Sequence, residues 1–107
     1  MAQRRLKDYS TDPVLLASDF RCAYCGRDLL ETLETFVTFA RDHVVPRCRG
    51  GSDGTSNRVA ACAACDTLKA DARTKSIEHA RQVVKLRRDL SATAYLKLCA
   101  VFREVTS

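Results

Sequence analysis

The pattern of apolar and polar positions is helical in the last third of the chain. From Ser76 onward, apolar residues recur at the spacing of one helix face, namely at Ile77, Ala80, Val83 and Val84. After a break expected near residues 90–93, a second set recurs at the same spacing, consisting of Tyr95, Leu98, Cys99, Phe102 and Val105. The sequence therefore predicts a helical extension over about residues 76–105, made of two helices, of which the last closes the core.

The first two thirds of the chain predict shorter elements. A polar residue followed by a proline is typical of a helix start, and it predicts a short helix over residues 14–18. Residues 35–40 are β-branched and aromatic, which predicts a strand that ends near Asp42 and His43. Two more elements are expected, a brief second strand and a helix of good helix formers, over residues 58–61 and 66–72.

Length and composition narrow the class of protein. At 107 residues we expect one domain over residues 1–107, and a core this small needs an additional staple. Hydrophobic residues make up 46% and charged residues 29%, which favours neither a disordered chain nor a membrane protein. The basic N-terminus leads into a polar stretch where a signal peptide needs an apolar one, so we expect a cytoplasmic (intracellular) protein.

The charge balance favours a polyanionic partner. Eighteen Lys and Arg residues against thirteen Asp and Glu residues give a formal net charge of +5. A positive protein gains affinity for nucleic acid by releasing the counterions condensed on it. A basic stripe on the predicted helix after residue 76, formed by Arg81, Lys85 and Arg88, is either a solvated helix face or a nucleic-acid contact.

Two Cys-x-x-Cys pairs carry the strongest chemical signal in the chain. Cys22 pairs with Cys25, and Cys62 pairs with Cys65, which is the spacing of a tetrahedral zinc site with four thiolate ligands. A set of buried or redox-active thiols is the alternative, but two correctly spaced pairs favour a structural Zn²⁺. The remaining cysteines are interpreted as ordinary thiols outside the pairs, at Cys48 and Cys99.

A second set of polar residues lies between and just after the cysteine pairs. In chain order it comprises an Asp-His-x-x-Pro segment, a Gly-Gly loop over residues 46–57, an Asn, and a polar residue followed three positions later by a Lys. These residues are Asp42, His43, Asn57, Asp66 and Lys69. Their order and spacing resemble the HNH endonucleases over about residues 20–72. The resemblance implies an α+β fold, with a small zinc-stapled ββα-metal core and additional C-terminal helices.

The resemblance also implies roles for these residues in the hydrolysis of phosphodiester bonds in DNA. Asp42 and Asp66 are expected to bind one catalytic divalent metal, Mg²⁺, Mn²⁺ or Ni²⁺, and His43 to deprotonate the attacking water. Imidazole suits that role because it exchanges a proton near neutral pH. Asn57 is expected to hold the loop that orients His43. Basic residues are expected to contact DNA, and they are Lys69, Arg47 and Arg49.

Asp66 departs from the family pattern. HNH proteins usually carry Asn or His directly after the second cysteine pair. A carboxylate at this position adds a negative charge, which binds hard cations more tightly but opposes the approach of a phosphate. A catalytically weak or inactive zinc-dependent nucleic-acid-binding module is therefore the alternative function. On that interpretation His43 is a hydrogen-bonded structural residue, Asn57 a turn residue and Lys69 a solvated helix residue.

Overall fold

The computed structural model of the protein describes residues 8–103, and its first helix matches the sequence prediction. This helix, α1 (Pro13–Ala17), begins after Asp12, whose carboxylate accepts hydrogen bonds from the backbone N–H groups of Val14 and Leu15 at 3.0 and 3.2 Å. Since N–H groups in a first helical turn have no partner within the helix, the carboxylate stabilises the helix start. Val14 and Leu15 then bury their side chains in the core.

The second helix, α2 (Leu33–Val37), lies where the sequence predicted a strand over residues 35–40, and that prediction is wrong. Thr32 caps the helix, because its hydroxyl oxygen accepts a hydrogen bond from the Thr35 N–H group at 3.0 Å. Phe36 packs edge-on against Tyr9, with the ring centroids 5.1 Å apart. The cap and the aromatic contact together outweigh the β propensity of the segment.

The sheet is an antiparallel hairpin of two strands, β1 (Ala40–His43) and β2 (Arg58–Ala61). His43 lies directly opposite Arg58 in its register, so both side chains project from the same face. β2 confirms the predicted second strand, whereas β1 begins five residues later than the predicted first strand. The connecting loop contains two 3-10 turns, Arg47–Arg49 and Thr55–Asn57.

Helix α3 (Ala63–Lys69) follows β2 directly and begins three residues earlier than the predicted helix over residues 66–72. The earlier start has a local cause, since Cys62 caps the helix: its Sγ accepts a hydrogen bond from the Cys65 N–H group at 3.5 Å. The second cysteine pair therefore forms the first turn of α3. The hairpin and α3 together make the ββα unit of the fold.

The last helix, α4 (Ile77–Arg103), is continuous over 27 residues, so the predicted break at residues 90–93 is wrong. The Thr93 hydroxyl donates a hydrogen bond to the Asp89 carbonyl at 3.1 Å, which satisfies this polar side chain inside the helix. No helix of residues 8–103 is both long and apolar enough to cross a membrane.

The distal half of α4 does not close the core, which corrects a second prediction for this segment. The residues of α4 that are buried are Ala80 and Val84, both near its start. The apolar residues predicted to be buried further along are exposed by 58–70%, and they are Tyr95, Leu98 and Phe102. Cys99 is half-buried, and Val105 lies outside the described residues.

The core lies around the two cysteine pairs. Its fully buried members come from α1, from the segment after the first cysteine pair, from β2, from α3 and from α4, and they include Leu15, Leu29, Ala60, Ala61, Cys65 and Ala80. Both alanines of β2 are fully buried, and the strand contacts α1 and α3. The cysteine sulfurs are thus placed where the elements meet.

Candidate active site and zinc centre

The two cysteine pairs converge on one point of the structure. The Sγ atoms of Cys22, Cys25, Cys62 and Cys65 all lie within 4.8 Å of one another. The sulfurs of Cys25 and Cys62 are 3.8 Å apart. A tetrahedral zinc with Zn–S bonds of about 2.3 Å needs sulfurs about 3.8 Å apart, so this donor set fits Zn²⁺ in both chemistry and size. The spacing-based prediction of a four-cysteine zinc site is confirmed at the level of the ligand cluster.

Hydrogen bonds within the cluster favour the thiolate form of one cysteine, whereas burial and the neighbouring sulfur of Cys22 raise the pKa values of Cys25 and Cys65. A hydrogen bond from Cys65 lowers the pKa of Cys22 to about 4, and backbone N–H groups contribute against the opposing effect of burial. Arg88 of α4 donates from Nη2 to the Cys65 Sγ at 3.2 Å. Because four thiolates on one Zn²⁺ leave an excess of negative charge, this guanidinium partly neutralises the cluster.

The predicted basic stripe on α4 is largely directed at the cysteine pairs. Besides the bond from Arg88, Arg81 Nε donates to the Ala23 carbonyl at 2.8 Å. The third member, Lys85, is exposed and pairs with Asp89 at 3.4 Å. These contacts tie the first half of α4 to both cysteine pairs, a structural role that the charge pattern did not indicate.

Asp42 of β1 is held by two side chains that reach it from different parts of the chain. The hydroxyl of Tyr24, a residue between the two cysteines of the first pair, donates a hydrogen bond to Asp42 Oδ2. Lys69 Nζ lies 2.9 Å from the same oxygen and also donates to the His43 carbonyl at 3.0 Å. Burial, together with the Asp42 carboxylate, raises the pKa of Tyr24, so the hydroxyl stays protonated as a donor.

The position of Lys69 contradicts its predicted role as a DNA contact. Its side chain is 2% exposed, and its ammonium group is directed inward at Asp42 and at the His43 carbonyl. Helix α3 packs on the hairpin, and Lys69 lies in its last turn on the packed side. Lys69 is therefore a buried structural cation, neither the phosphate contact nor the solvated helix residue that the sequence allowed.

His43 lies at the end of β1 and contacts a carboxylate that sequence reasoning missed. Its Nε2 is 2.8 Å from Asp53 Oδ1. Arg47 Nε donates to the same oxygen at 2.7 Å. Hydrogen bonds from His43 and Arg47 lower the pKa of Asp53, which keeps it ionised beside the imidazole. The His43 side chain remains 25% exposed and open to a ligand.

Asn57 joins the two ends of the loop between the strands. Its Oδ1 accepts a hydrogen bond from the Val45 N–H group, and its Nδ2 donates to the carbonyls of Val45 and Ser52, each at 2.9 Å. Gly51 lies so close that a Cβ there would overlap the Val45 carbonyl. Asn57 thus fixes the segment that follows His43, while a catalytic role for it stays a prediction.

Two further residues of the predicted site are exposed. Asp66 lies in the first turn of α3, one turn before Lys69, and Arg49 lies in the first 3-10 turn of the loop. A metal site needs three or more His, Cys, Asp or Glu side chains close together, and among residues 8–103 the four cysteines form such a cluster. Asp42, His43 and Asp66 are not assembled in this way, so their joint role stays a prediction.

Asp53 and Tyr24 contact residues of the predicted site, at His43 and Asp42, and the sequence did not reveal either contact. Asp53 lies in a Gly-Ser-Asp-Gly run that is typical of an exposed turn, ten positions after His43. Tyr24 lies between two zinc ligands and looked like part of a metal knuckle. The signal that could have indicated Asp53 is its position inside the loop that Asn57 closes. Closing a loop brings the residues in its middle close to the residues at its ends, which include His43.

Comparison with known proteins agrees with the geometry. A family model described as HNH endonuclease matches residues 22–80, just over half of the chain. The matched segment contains both cysteine pairs, the hairpin and α3. No curated protein and no solved structure matches the chain. With a four-cysteine cluster, a ββα unit and a family match that includes both, the chain belongs to the HNH endonuclease family.

Proposed function

We propose that the protein is a metal-dependent endonuclease that hydrolyses phosphodiester bonds in DNA. The observation that carries this proposal is the His43 imidazole, which is partly exposed at the end of β1 and bonded to the Asp53 carboxylate. A base of this kind, next to Asp42 in a chain of the HNH family, matches the need of the reaction for water activation beside a cation.

His43 is proposed to take the proton of the attacking water. Because Nε2 faces Asp53 Oδ1 at 2.8 Å, the carboxylate favours the tautomer with the proton on Nε2. Nδ1 is then the nitrogen with a free lone pair to accept a proton. Asn57 supports this arrangement by fixing the segment from Val45 onward, so the imidazole keeps its position relative to the strand.

Asp42 and Asp66 are proposed to hold the catalytic cation. Carboxylate oxygens suit Mg²⁺ or Mn²⁺, which keep several waters, and Ni²⁺ is a further candidate. When bound, the cation would stabilise negative charge on the phosphate and on the leaving oxygen. Tyr24 and Lys69 fix the Asp42 carboxylate at the junction of β1 and α3, and Asp66 lies one turn from Lys69 on α3.

The proposed substrate is DNA, approached over the loop between the strands. Arg47 and Arg49 are exposed there, and Arg47 lies next to His43 through their shared partner Asp53. The net charge of +5 adds a long-range attraction to a polyanion. Contacts of this type position a phosphate without reading sequence, so we expect cleavage with little sequence preference.

Plasmid nicking tests the proposal directly. The zinc-loaded protein is incubated with supercoiled plasmid in the presence of Mg²⁺, Mn²⁺ or Ni²⁺, and without an added divalent metal. We expect metal-dependent nicking that falls by about 10² to 10⁴-fold in His43→Ala, the usual effect of removing a positioned base. His79→Ala is the matched control, since His79 is the second of two histidines and bonds to the Lys75 N–H group at the start of α4. Wild-type rates in His43→Ala would contradict the mechanism.

Variants of Asp66 test the metal assignment separately. Asp66→Ala should bind the catalytic ion more weakly, so its nicking activity should recover in part at high metal concentration. Asp66→Asn carries the residue usual in the family and should remain active. Calorimetric titration with Mn²⁺ measures the affinity of each variant, and equal affinity in Asp66→Ala and wild type would exclude Asp66 as a ligand.

The second candidate is a zinc-dependent nucleic-acid-binding module without turnover. The observation that favours it is the ion pair between Asp42 and Lys69, which engages a proposed metal ligand. Among the described residues, Asp42 also does not belong to a cluster of three or more side chains that could hold a metal. This candidate predicts salt-sensitive DNA binding with no nicking in any of the three metals.

A further inference from the structure

A pocket of about 490 Å³ is lined by residues other than the proposed catalytic ones. It is bounded by α1, the first cysteine pair, the beginning of β2 and the beginning of α4. One wall is apolar and consists of Val14, Ala17, Val59 and Ile77. The pocket is also positively charged, because three arginines line it, Arg21, Arg58 and Arg81. None of the described residues that line it is acidic.

Arg58 lines the pocket and holds a buried, unpartnered donor beside it. Its Nε atom is fully buried and has no hydrogen-bond partner among residues 8–103. A buried donor without a partner is unfavourable, and native proteins rarely retain one unless a ligand, an ion or water completes it. The guanidinium is planar with five N–H donors, a geometry that matches the oxygens of a phosphate.

The other two guanidinium groups also keep uncompensated charge. Arg21 donates from Nη1 to the Gly26 carbonyl at 3.2 Å, and Arg81 donates from Nε to the Ala23 carbonyl at 2.8 Å. Both acceptors are neutral and each occupies one of five donors. Within the described chain none of the three arginines forms a salt bridge with a carboxylate. The arginine bonded to a zinc-ligating sulfur is Arg88, which is not one of the three.

We propose that this pocket binds one nucleotide unit, with its phosphate on the three arginines and its sugar or base against the apolar wall. The volume lies within the roughly 300 to 1,000 Å³ of small-molecule sites. The unit comes either from a free nucleotide or from a nucleic-acid strand that also reaches His43, the residue opposite Arg58 in the hairpin. The claim that a nucleic-acid strand supplies this unit rests on the proposed function. The claim that the pocket binds a nucleotide unit does not.

Titration followed by NMR tests the binding. The full-length, zinc-loaded protein without added divalent metal is titrated with a deoxynucleoside monophosphate, with the unphosphorylated deoxynucleoside and with a short single-stranded oligonucleotide. We expect a saturable shift of the Arg58 Nε–H resonance with the two phosphate-bearing probes and none with the deoxynucleoside. Affinity for the oligonucleotide above that for the monophosphate identifies a strand as the source, and equal affinities identify a free nucleotide.

Variants separate a built site from general charge. Arg58→Gln and Arg21→Gln should each weaken binding of the monophosphate by roughly tenfold or more, since each removes a charged hydrogen-bond donor. Lys97→Gln is the control, because it removes the same charge sixteen residues beyond Arg81, roughly 24 Å along α4. Equal losses in the control would overturn the proposal, as would a missing shift at Arg58.

Two additional measurements keep this proposal distinct from the proposed function. Zinc content is measured in Arg58→Gln, and loss of zinc there would show that the arginine neutralises the cysteine cluster, which also overturns the proposal. His43→Ala should bind the monophosphate as the wild type does. A protein that binds the monophosphate at Arg58 but nicks no plasmid would refute the proposed endonuclease activity and support nucleotide binding in the pocket.

Discussion

At the scale of single residues, Asp42 and Lys69 form the least exposed carboxylate and ammonium pair of the described structure. Their side chains are 13% and 2% exposed, and Lys69 also bonds to the His43 carbonyl. Removing one partner of such a pair leaves the other charge buried without compensation. The pair therefore couples the fold of the ββα unit to the geometry of the proposed site.

Lys69→Met should lower the free energy of unfolding by about 3 kcal/mol, because the Asp42 carboxylate loses its cation in a poorly solvated position. Lys85→Met is the matched control, since Lys85 pairs with Asp89 on the surface with both side chains more than 60% exposed. Its effect should stay below about 0.5 kcal/mol. Urea unfolding measures both, and similar effects in the two variants would contradict the assigned burial of Lys69.

Asp53 is the residue that we expect to set the tautomer of His43. Asp53→Ala should lower the nicking rate by roughly 10 to 100-fold with little change in KM, because an imidazole without its outer partner populates both tautomers. Asp53→Asn retains an acceptor oxygen and should restore part of the rate. Nitrogen NMR of the His43 ring reads the tautomer directly. An unchanged ring spectrum in Asp53→Ala would refute the positioning role, and Asp71→Ala controls for the lost surface charge.

At the scale of elements, Asp12 joins α1 to β1. Its carboxylate caps α1 and forms an ion pair with Arg41 of β1. Burial acts to raise the pKa of Asp12, but hydrogen bonds from Arg41 and from the Leu15 and Val14 N–H groups outweigh it, so the net pKa lies below its usual value. A pKa that is lower in the folded state means that the ionised carboxylate stabilises the fold.

The stabilisation from Asp12 is therefore present above the unfolded-state pKa of about 3.9 and is lost as the pH falls through the lower folded-state pKa. Asp12→Asn keeps a capping oxygen but loses the charge. We expect it to be less stable than the wild type at pH 7, by roughly 1.5 kcal/mol, with a gap that narrows towards pH 3. Thermal unfolding at several pH values measures the gap. A gap that is constant with pH would show that the charge contributes nothing.

Local signals along the chain predicted the elements unevenly. The polar cap before α1 and the proline at its first position acted as expected, because the cap accepts hydrogen bonds from N–H groups only two and three residues away. The strand predicted over residues 35–40 was wrong, because Phe36 packs on Tyr9, far earlier in the chain. The observed strand begins only at Ala40. In α4 the apolar spacing correctly indicated a helix but not its exposure beyond Val84.

At the scale of the whole molecule, the cysteine cluster is the staple that the short chain requires. Structural zinc in small domains contributes apparent free energies of about 10 to 16 kcal/mol, comparable to the whole stability of a domain. The cluster joins the segment after α1 to the start of α3, and α4 is bonded to it through Arg88. Loss of the metal should therefore affect every element at once.

Cys62→Ser should unfold the protein or make it insoluble, because it removes both a zinc ligand and the cap of α3. Cys99→Ser is the control, since Cys99 lies on α4 outside the cluster. Metal analysis should find one zinc per chain in the wild type and in the control, and circular dichroism reports the fold. A metal-free wild-type protein that keeps its helical spectrum would refute the structural zinc.

By itself, the sequence determined the features that depend on neighbours along the chain. The two Cys-x-x-Cys spacings specified the metal cluster, and the ordered motif from Asp42 to Lys69 identified the family, because ligand chemistry and motif order are properties of the chain itself. The tertiary structure decided which polar groups meet. Lys69 reaches Asp42 across 27 positions, and three separate segments bring Arg21, Arg58 and Arg81 to one pocket. Burial and charge pairing between such distant residues follow from how α3 and α4 pack on the hairpin, and no local pattern of residues encodes that packing.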